Sequence, residues 1–87
     1  MDKLSILKVD LGISSTAMDE YLTKVIEEAE AAITREGITL EDSVEDGMLV
    51  ENYAAFLYRQ RRDKDQMMPK NLRRMLNNRL FSEKASE

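Results

Sequence analysis

The sequence predicts an all-α fold, a small bundle of about four helices. Glycine and proline are scarce, and Gly12, Gly37, Gly47 and Pro69 are the residues of these two types that interrupt the chain. Apolar residues recur at spacings of three and four, as they do on one face of a helix. β-Branched residues are scattered instead of forming the runs that strands favour. Together these observations predict a short N-terminal helix, two long helices and a C-terminal helix opened by proline.

The first helix is predicted over residues 2–11, because Leu4, Leu7 and Leu11 fall on one stripe. Gly12 follows this stripe and provides the left-handed residue that ends many helices. Ile13 is then expected to be buried as an apolar plug beside the helix end.

The second helix is predicted over residues 16–36. Thr16 and Asp19, three positions apart, resemble a capping box at its start. Gly37 stands where a left-handed residue ends the helix, and Ile38 follows as its hydrophobic partner. The apolar stripe at the three–four spacing comprises Met18, Leu22, Val25, Ile26, Ala29 and Ile33.

The third helix is predicted over residues 44–62. Asp42 and Ser43 are good N-caps, and Glu45 and Asp46 favour its first turn. Its apolar and aromatic residues cover too much of the surface for a helix with one exposed face, so this helix is expected to lie in the centre. They are Met48, Leu49, Val50, Tyr53, Ala54, Phe56, Leu57 and Tyr58.

The fourth helix is predicted to open at Pro69, whose missing N–H costs nothing in a first turn. Met67, Met68 and Pro69 form the turn before it. Its stripe comprises Leu72, Met75, Leu76 and Leu80. One helical domain is therefore predicted over residues 1–80, with a flexible tail over residues 81–87. Phe81, at the start of that tail, is expected either to dock on its own core or to contact a partner.

The composition excludes several classes of site. The chain has no cysteine and no histidine, so disulfides, thiolate zinc sites and histidine-based catalysis are ruled out. Asp63 and Asp65 could approach one Mg²⁺, but two alternating acids in a charged loop are better explained as solvated side chains. We therefore predict no catalytic residue, no metal site and no cofactor. The sequence also lacks an apolar run of membrane-spanning length and a signal-peptide pattern, which predicts synthesis in the cytoplasm without membrane contact.

The net charge of −4 hides a strong asymmetry. Residues 1–51 carry 13 acids and 4 bases, whereas residues 52–87 carry 4 acids and 9 bases. Opposite charges on two parts of one chain favour contact between identical copies. Arg59, Arg62 and Arg74 are therefore predicted to meet the acidic surface of the second helix of a neighbour, including Glu27 and Glu30. Contacts between two different surfaces of this kind close into rings when the rotation permits.

The basic runs "YRQRRDK" and "NLRRML" also support an alternative, a small cytoplasmic helical DNA-binding regulator. Their cations could contact phosphates: Arg59, Arg61, Arg62, Lys64, Lys70, Arg73 and Arg74. The chain as a whole is acidic, however, and the link before the fourth helix is longer than the turn of a helix-turn-helix. Sequence-specific DNA binding is therefore the second interpretation.

Three segments in order, "LGISSTAMDEYLTKVIEEAEAAI", "ENYAAFLYRQRRD" and "MMPKNLRRMLNNRL", resemble the small head–tail connector proteins of long-tailed bacteriophages. That family of adaptor or head-completion proteins is helical. A long helix opens in an element like "TAMDEYL", a second ends in one like "LYRQRR", and a proline begins the last helix. The resemblance spans about residues 4–80.

The resemblance implies a structural protein that is made in the bacterial host cytoplasm and located in the virion. A ring of about twelve copies is expected beneath the portal protein, where it extends the DNA channel and receives a head-closure or tail protein. Packaged DNA would pass through the ring without sequence-specific binding. The predicted subunit or partner interface comprises Glu27, Glu30, Tyr58, Arg59, Arg61, Arg62, Arg74, Leu80 and Phe81.

Overall fold

The computed structural model describes residues 2–85, and within this range the chain forms four α-helices and no strand. They are α1 (Lys3–Leu11), α2 (Asp19–Arg35), α3 (Val44–Arg62) and α4 (Lys70–Ala85). Buried apolar side chains from all four helices form one cluster. The prediction of a small all-α bundle is confirmed, and the third helix has the predicted bounds.

Local capping fixes the ends of α1. The Asp2 side chain accepts a hydrogen bond from the Leu4 N–H at 3.2 Å, and Gly12 ends the helix with a φ of 72°. Leu7 is fully buried, while Leu4 and Leu11 pack against the core from its edge. The predicted stripe and the predicted stop are both confirmed.

The start of α2 differs from the prediction. The helix begins at Asp19 instead of Thr16, and no side chain caps it. The Asp19 carboxylate does not reach back to Thr16 because it pairs with Lys8 of α1, whose Nζ lies 2.7 Å from its Oδ1. The Ser15 hydroxyl accepts a hydrogen bond from the Ala17 N–H and shapes a turn before the helix. A contact with another helix therefore replaces the predicted capping box.

The central position of α3 follows from its packing against α1, α2 and α4. Ser43 caps it, since its Oγ accepts a hydrogen bond from the Asp46 N–H at 3.1 Å. Its buried apolar residues are Leu49, Val50, Ala54, Ala55 and Phe56. The predicted cap and the predicted contacts on more than one side are both present.

The last helix continues beyond its predicted end. Pro69 precedes α4, and its carbonyl accepts the first hydrogen bond, from the Arg73 N–H. The predicted tail after Leu80 is wrong for residues 81–85, which remain helical. Glu83 anchors this turn because it accepts a hydrogen bond from the Thr39 N–H and lies 3.7 Å from Arg79. The remainder of the predicted tail, residues 86 and 87, lies outside the described range.

Two glycines should respond in opposite ways to a Cβ. Gly37 ends the α2 segment with a φ of 105°, and Ile38 beside it is buried, as predicted. Because L residues resist this φ, we expect Gly37→Ala to lower the free energy of unfolding by about 1–2 kcal/mol. Gly47 is helical, and its Cβ would meet nothing within 4 Å. Gly47→Ala, the matched control, should therefore stabilise by about 0.5–1 kcal/mol in the same urea titration. Equal effects of the two variants would contradict the backbone explanation.

Candidate interaction site

The end of α3 carries a cluster of aromatic and cationic side chains. The rings of Tyr21 and Tyr58 meet edge to face with their centroids 6.3 Å apart. The Arg61 guanidinium donates a hydrogen bond to the Tyr21 hydroxyl at 3.2 Å and also pairs with Glu28. Arg62 donates to the Tyr58 hydroxyl at 3.0 Å and stacks over its ring. Tyr58, Arg61 and Arg62, three of the predicted interface residues, are therefore brought together.

Three ion pairs join the acidic and basic parts within one chain. They are Arg61–Glu28, Arg73–Glu36 and Arg79–Asp46. The predicted attraction between the two parts is thus partly satisfied inside each copy. Glu30 also has a partner in its own chain, because its Oε2 lies 3.1 Å from Lys3 Nζ.

Several predicted interface cations remain without such a partner. Arg59, Arg62 and Arg74 are exposed and form no ion pair within residues 2–85. Glu27 on α2 is likewise exposed and forms none in the same range. These four predicted contact residues are therefore exposed to solvent, and they lie on three different helices, α2, α3 and α4.

Leu80 and Phe81 differ although they are adjacent. Leu80 packs against the core of its own chain, 3.6 Å from where a Cβ on Gly37 would lie. Phe81 is 76% exposed, so it does not dock on that core. Docking of Phe81 on its own core is therefore wrong, and its contact with a partner stays a prediction.

Sequence reasoning missed an acidic pair between α1 and α3. Glu51 is only 3% exposed, and the Asp10 carboxyl lies within hydrogen-bond reach of it. Glu51 Oε1 has no other hydrogen-bond partner among the described residues. Burial, the hydrogen bond with Asp10 and the charge of Asp10 raise the pKa of Glu51 to about 7, against a smaller opposing effect of Arg59. Two carboxyls in such contact share a proton or repel each other.

The position of Glu51 in the sequence carried a signal for its burial. Gly47 and Met48 precede it by four and three residues, and Ala54 and Ala55 follow it by three and four. An acid on such a stripe faces the same side as its apolar neighbours. Its partner Asp10, by contrast, has no local signal that points to Glu51.

A second missed group, Asp46 and Arg79, joins α3 to α4. Arg79 Nε lies 3.1 Å from Asp46 Oδ1, and its Nη2 donates to the Thr39 carbonyl at 2.7 Å. Asp46 Oδ2 also accepts a hydrogen bond from the Glu41 N–H at 2.7 Å. This arrangement holds the connector between α2 and α3 against α4, so its role is structural.

Within residues 2–85, no group of three or more acidic side chains is placed to hold a metal ion. The same range contains no helix that is both long and apolar enough to cross a membrane. Comparisons of the chain with protein-family models, with curated proteins and with solved structures found no match.

Proposed function

We propose that this protein is a non-enzymatic head–tail connector of the kind found in long-tailed bacteriophages. Copies of the chain form a closed ring between the portal protein and a head-closure or tail protein. The order of the three sequence segments that resemble this family supports the proposal, as does the single helical core. The DNA channel of the ring would receive packaged DNA without reading its sequence.

The observation that carries the proposal is the exposure of opposite charges on separate helices. Arg59, Arg62 and Arg74 are solvent-exposed without an acidic partner in the described chain, and so is Glu27 without a basic one. Self-complementary surfaces on different sides of one molecule favour contacts that propagate from copy to copy. Exposed charges of this kind set partner orientation more than they add affinity.

Native mass spectrometry and negative-stain imaging of the protein, alone and with a portal protein, test the proposal. We expect a ring of about twelve copies that binds the portal and weakens as salt rises. The triple variant Arg59→Glu, Arg62→Glu and Arg74→Glu should shift the protein to monomers. Lys24→Glu, which changes an exposed cation on α2, should leave the ring intact.

A wild-type protein that stays monomeric and ignores the portal would contradict the proposal. Salt-sensitive binding of the isolated protein to duplex DNA would instead favour a DNA-binding regulator.

A further inference from the structure

A groove runs along α3 on the side that faces α1, from Val44 to Glu51. Two cavities of about 250 and 450 Å³ form it, and both are lined by Ile6 and Met48. Val44 is 76% exposed and Met48 is 41% exposed. The groove therefore presents apolar surface that its own chain leaves open to water.

One end of this α1–α3 groove is acidic. The cavity at that end is lined by Ser5, Ile6, Val9, Asp10, Met48 and Glu51. Glu51 is only 3% exposed, and its Oε1 has no hydrogen-bond partner among the described residues apart from the Asp10 carboxyl. The positive charge of Arg59 acts on Glu51, but Arg59 forms no ion pair within residues 2–85. Two carboxyls against one unpaired cation, beside apolar walls, suit a ligand with an aliphatic stem and a cationic head.

The outer face of α4 has the complementary chemistry. Every third or fourth residue along it is exposed: Lys70, Arg74, Asn77, Phe81 and Lys84. None of the three cations in this outer stripe forms an ion pair within residues 2–85. Phe81 adds one large apolar side chain, 76% exposed, to the same stripe. An amphipathic cationic helix face of this kind fits an apolar groove with an acidic end.

The spacing of the two surfaces also agrees. Arg74 and Phe81 are seven residues apart on α4, and Val44 and Glu51 are seven residues apart on α3. Seven helical residues span about 10 Å in each case. An antiparallel approach of α4 to α3 therefore places Arg74 at Glu51 and Phe81 at Val44 at the same time.

We infer that the α1–α3 groove is the docking site for the outer stripe of α4 from a second copy of this chain. Arg74 binds at the Asp10–Glu51 end, and Phe81 covers Val44 and Met48. This inference rests on the proposed function, because it names the contact that joins neighbouring subunits of the ring. It places the acceptor for Arg74 between α1 and α3 and not on the acidic surface of α2.

The absence of cysteine from the chain permits a direct test by disulfide cross-linking. A Val44→Cys protein is mixed with an isotope-labelled Phe81→Cys protein under mild oxidation, and mass spectrometry counts the mixed dimers. We expect the mixed disulfide to form several-fold more than either self-pair. Ala31→Cys, at an exposed position on α2, replaces Val44→Cys in the control and should give only the background yield. Val9→Cys, at the acidic end, should also give background, because the antiparallel register keeps Phe81 away from it.

The acidic end is tested separately by self-association of otherwise unmodified chains. Glu51→Gln and Asp10→Asn should each weaken the association constant about tenfold or more, since each removes a carboxylate from a desolvated charge contact. Glu20→Gln, which changes an exposed acid on α2 outside the predicted interface, is the matched control and should leave the constant unchanged. Analytical ultracentrifugation across a concentration series measures all three variants. The folded state of Glu51→Gln should persist throughout, so weaker association cannot be attributed to unfolding.

The possible results distinguish a failure of the proposed groove contact from a failure of the proposed connector function. Two outcomes would overturn the groove contact and leave the connector proposal standing. In the first, rings form normally with Glu51→Gln but fail with Glu27→Gln. In the second, the protein assembles, but the disulfide between Val44→Cys and Phe81→Cys forms only at background yield. If Phe81→Cys formed a disulfide with Val9→Cys in preference to Val44→Cys, the antiparallel register would be wrong, and the inference with it. A wild-type chain that neither self-associates nor binds a portal protein would overturn both.

Discussion

Replacement of Asp46 by alanine is expected to lower the free energy of unfolding by about 3 kcal/mol. Removal of one member of a buried ion pair leaves the other charge without compensation, which costs about 3–5 kcal/mol in fully buried cases. Asp46 is 4% exposed, but the Arg79 side chain is 19% exposed, which places the expected loss near the lower end. The Glu41 N–H also loses its acceptor. Such a loss is a large part of the stability of a small domain.

Urea unfolding followed by circular dichroism measures this effect. Asp42→Ala is the matched control, because Asp42 is an exposed acid four residues earlier, and it should change stability by less than about 0.5 kcal/mol. Asp46→Asn should lower the free energy of unfolding by an amount between those of Asp46→Ala and Asp42→Ala, since an amide oxygen still accepts a hydrogen bond from the Glu41 N–H. If Asp46→Ala matched Asp42→Ala, the contact with Arg79 would contribute nothing to folding.

Replacement of Glu51 by glutamine is expected to stabilise the protein above neutral pH. Burial, followed by the hydrogen bond and charge of Asp10, raises the pKa of Glu51 from 4.5 to about 7 in the folded chain. Between these two pH values the unfolded chain has lost the proton that the folded chain still holds. The free energy of unfolding therefore falls as pH rises from about 4.5 to about 7, and the loss persists above that range. At pH 8 the loss reaches about 3 kcal/mol, because each pKa unit corresponds to about 1.4 kcal/mol.

Glutamine removes this loss because its amide can donate to Asp10 without carrying a charge. We expect Glu51→Gln to match the wild type near pH 4 and to exceed it by up to about 3 kcal/mol at pH 8. Urea titrations at several pH values measure the difference, and Glu27→Gln should follow the wild-type curve at each. A constant difference between Glu51→Gln and the wild type across this range would show that packing, and not ionisation, sets the cost of Glu51. A glutamic acid that destabilises its own fold is consistent with a residue kept for contact with another molecule.

The local features of the fold could be predicted because they depend on near neighbours in the sequence. Helix α3 has its predicted bounds, with Ser43 bonded to the N–H of a residue three positions later. Gly12 and Gly37 end their helices with positive φ, as their positions indicated. Apolar residues at spacings of three and four became the core. In each case the deciding contact lies within one helical turn or follows from the conformational freedom of one residue.

Long-range pairing could not be predicted, and it determines most of the candidate site. The sequence shows that Arg61 and Glu28 are charged but not that they meet across 33 positions. The end of α4 was predicted too early because the anchors of its last turn include Thr39, which is 44 positions away. Glu51 was identifiable as an acid on an apolar stripe, whereas its contact with Asp10 was not.

The sequence by itself therefore determined four helices, most of their ends, the core residues and the separation of acidic from basic segments. Only the tertiary structure decided which charges are paired inside the chain and which remain exposed. It also decided that a buried acid lies at the end of an open groove. The physical reason is range: helix periodicity and capping act over three or four residues, whereas the partner and the burial of a charged side chain depend on how separate helices pack.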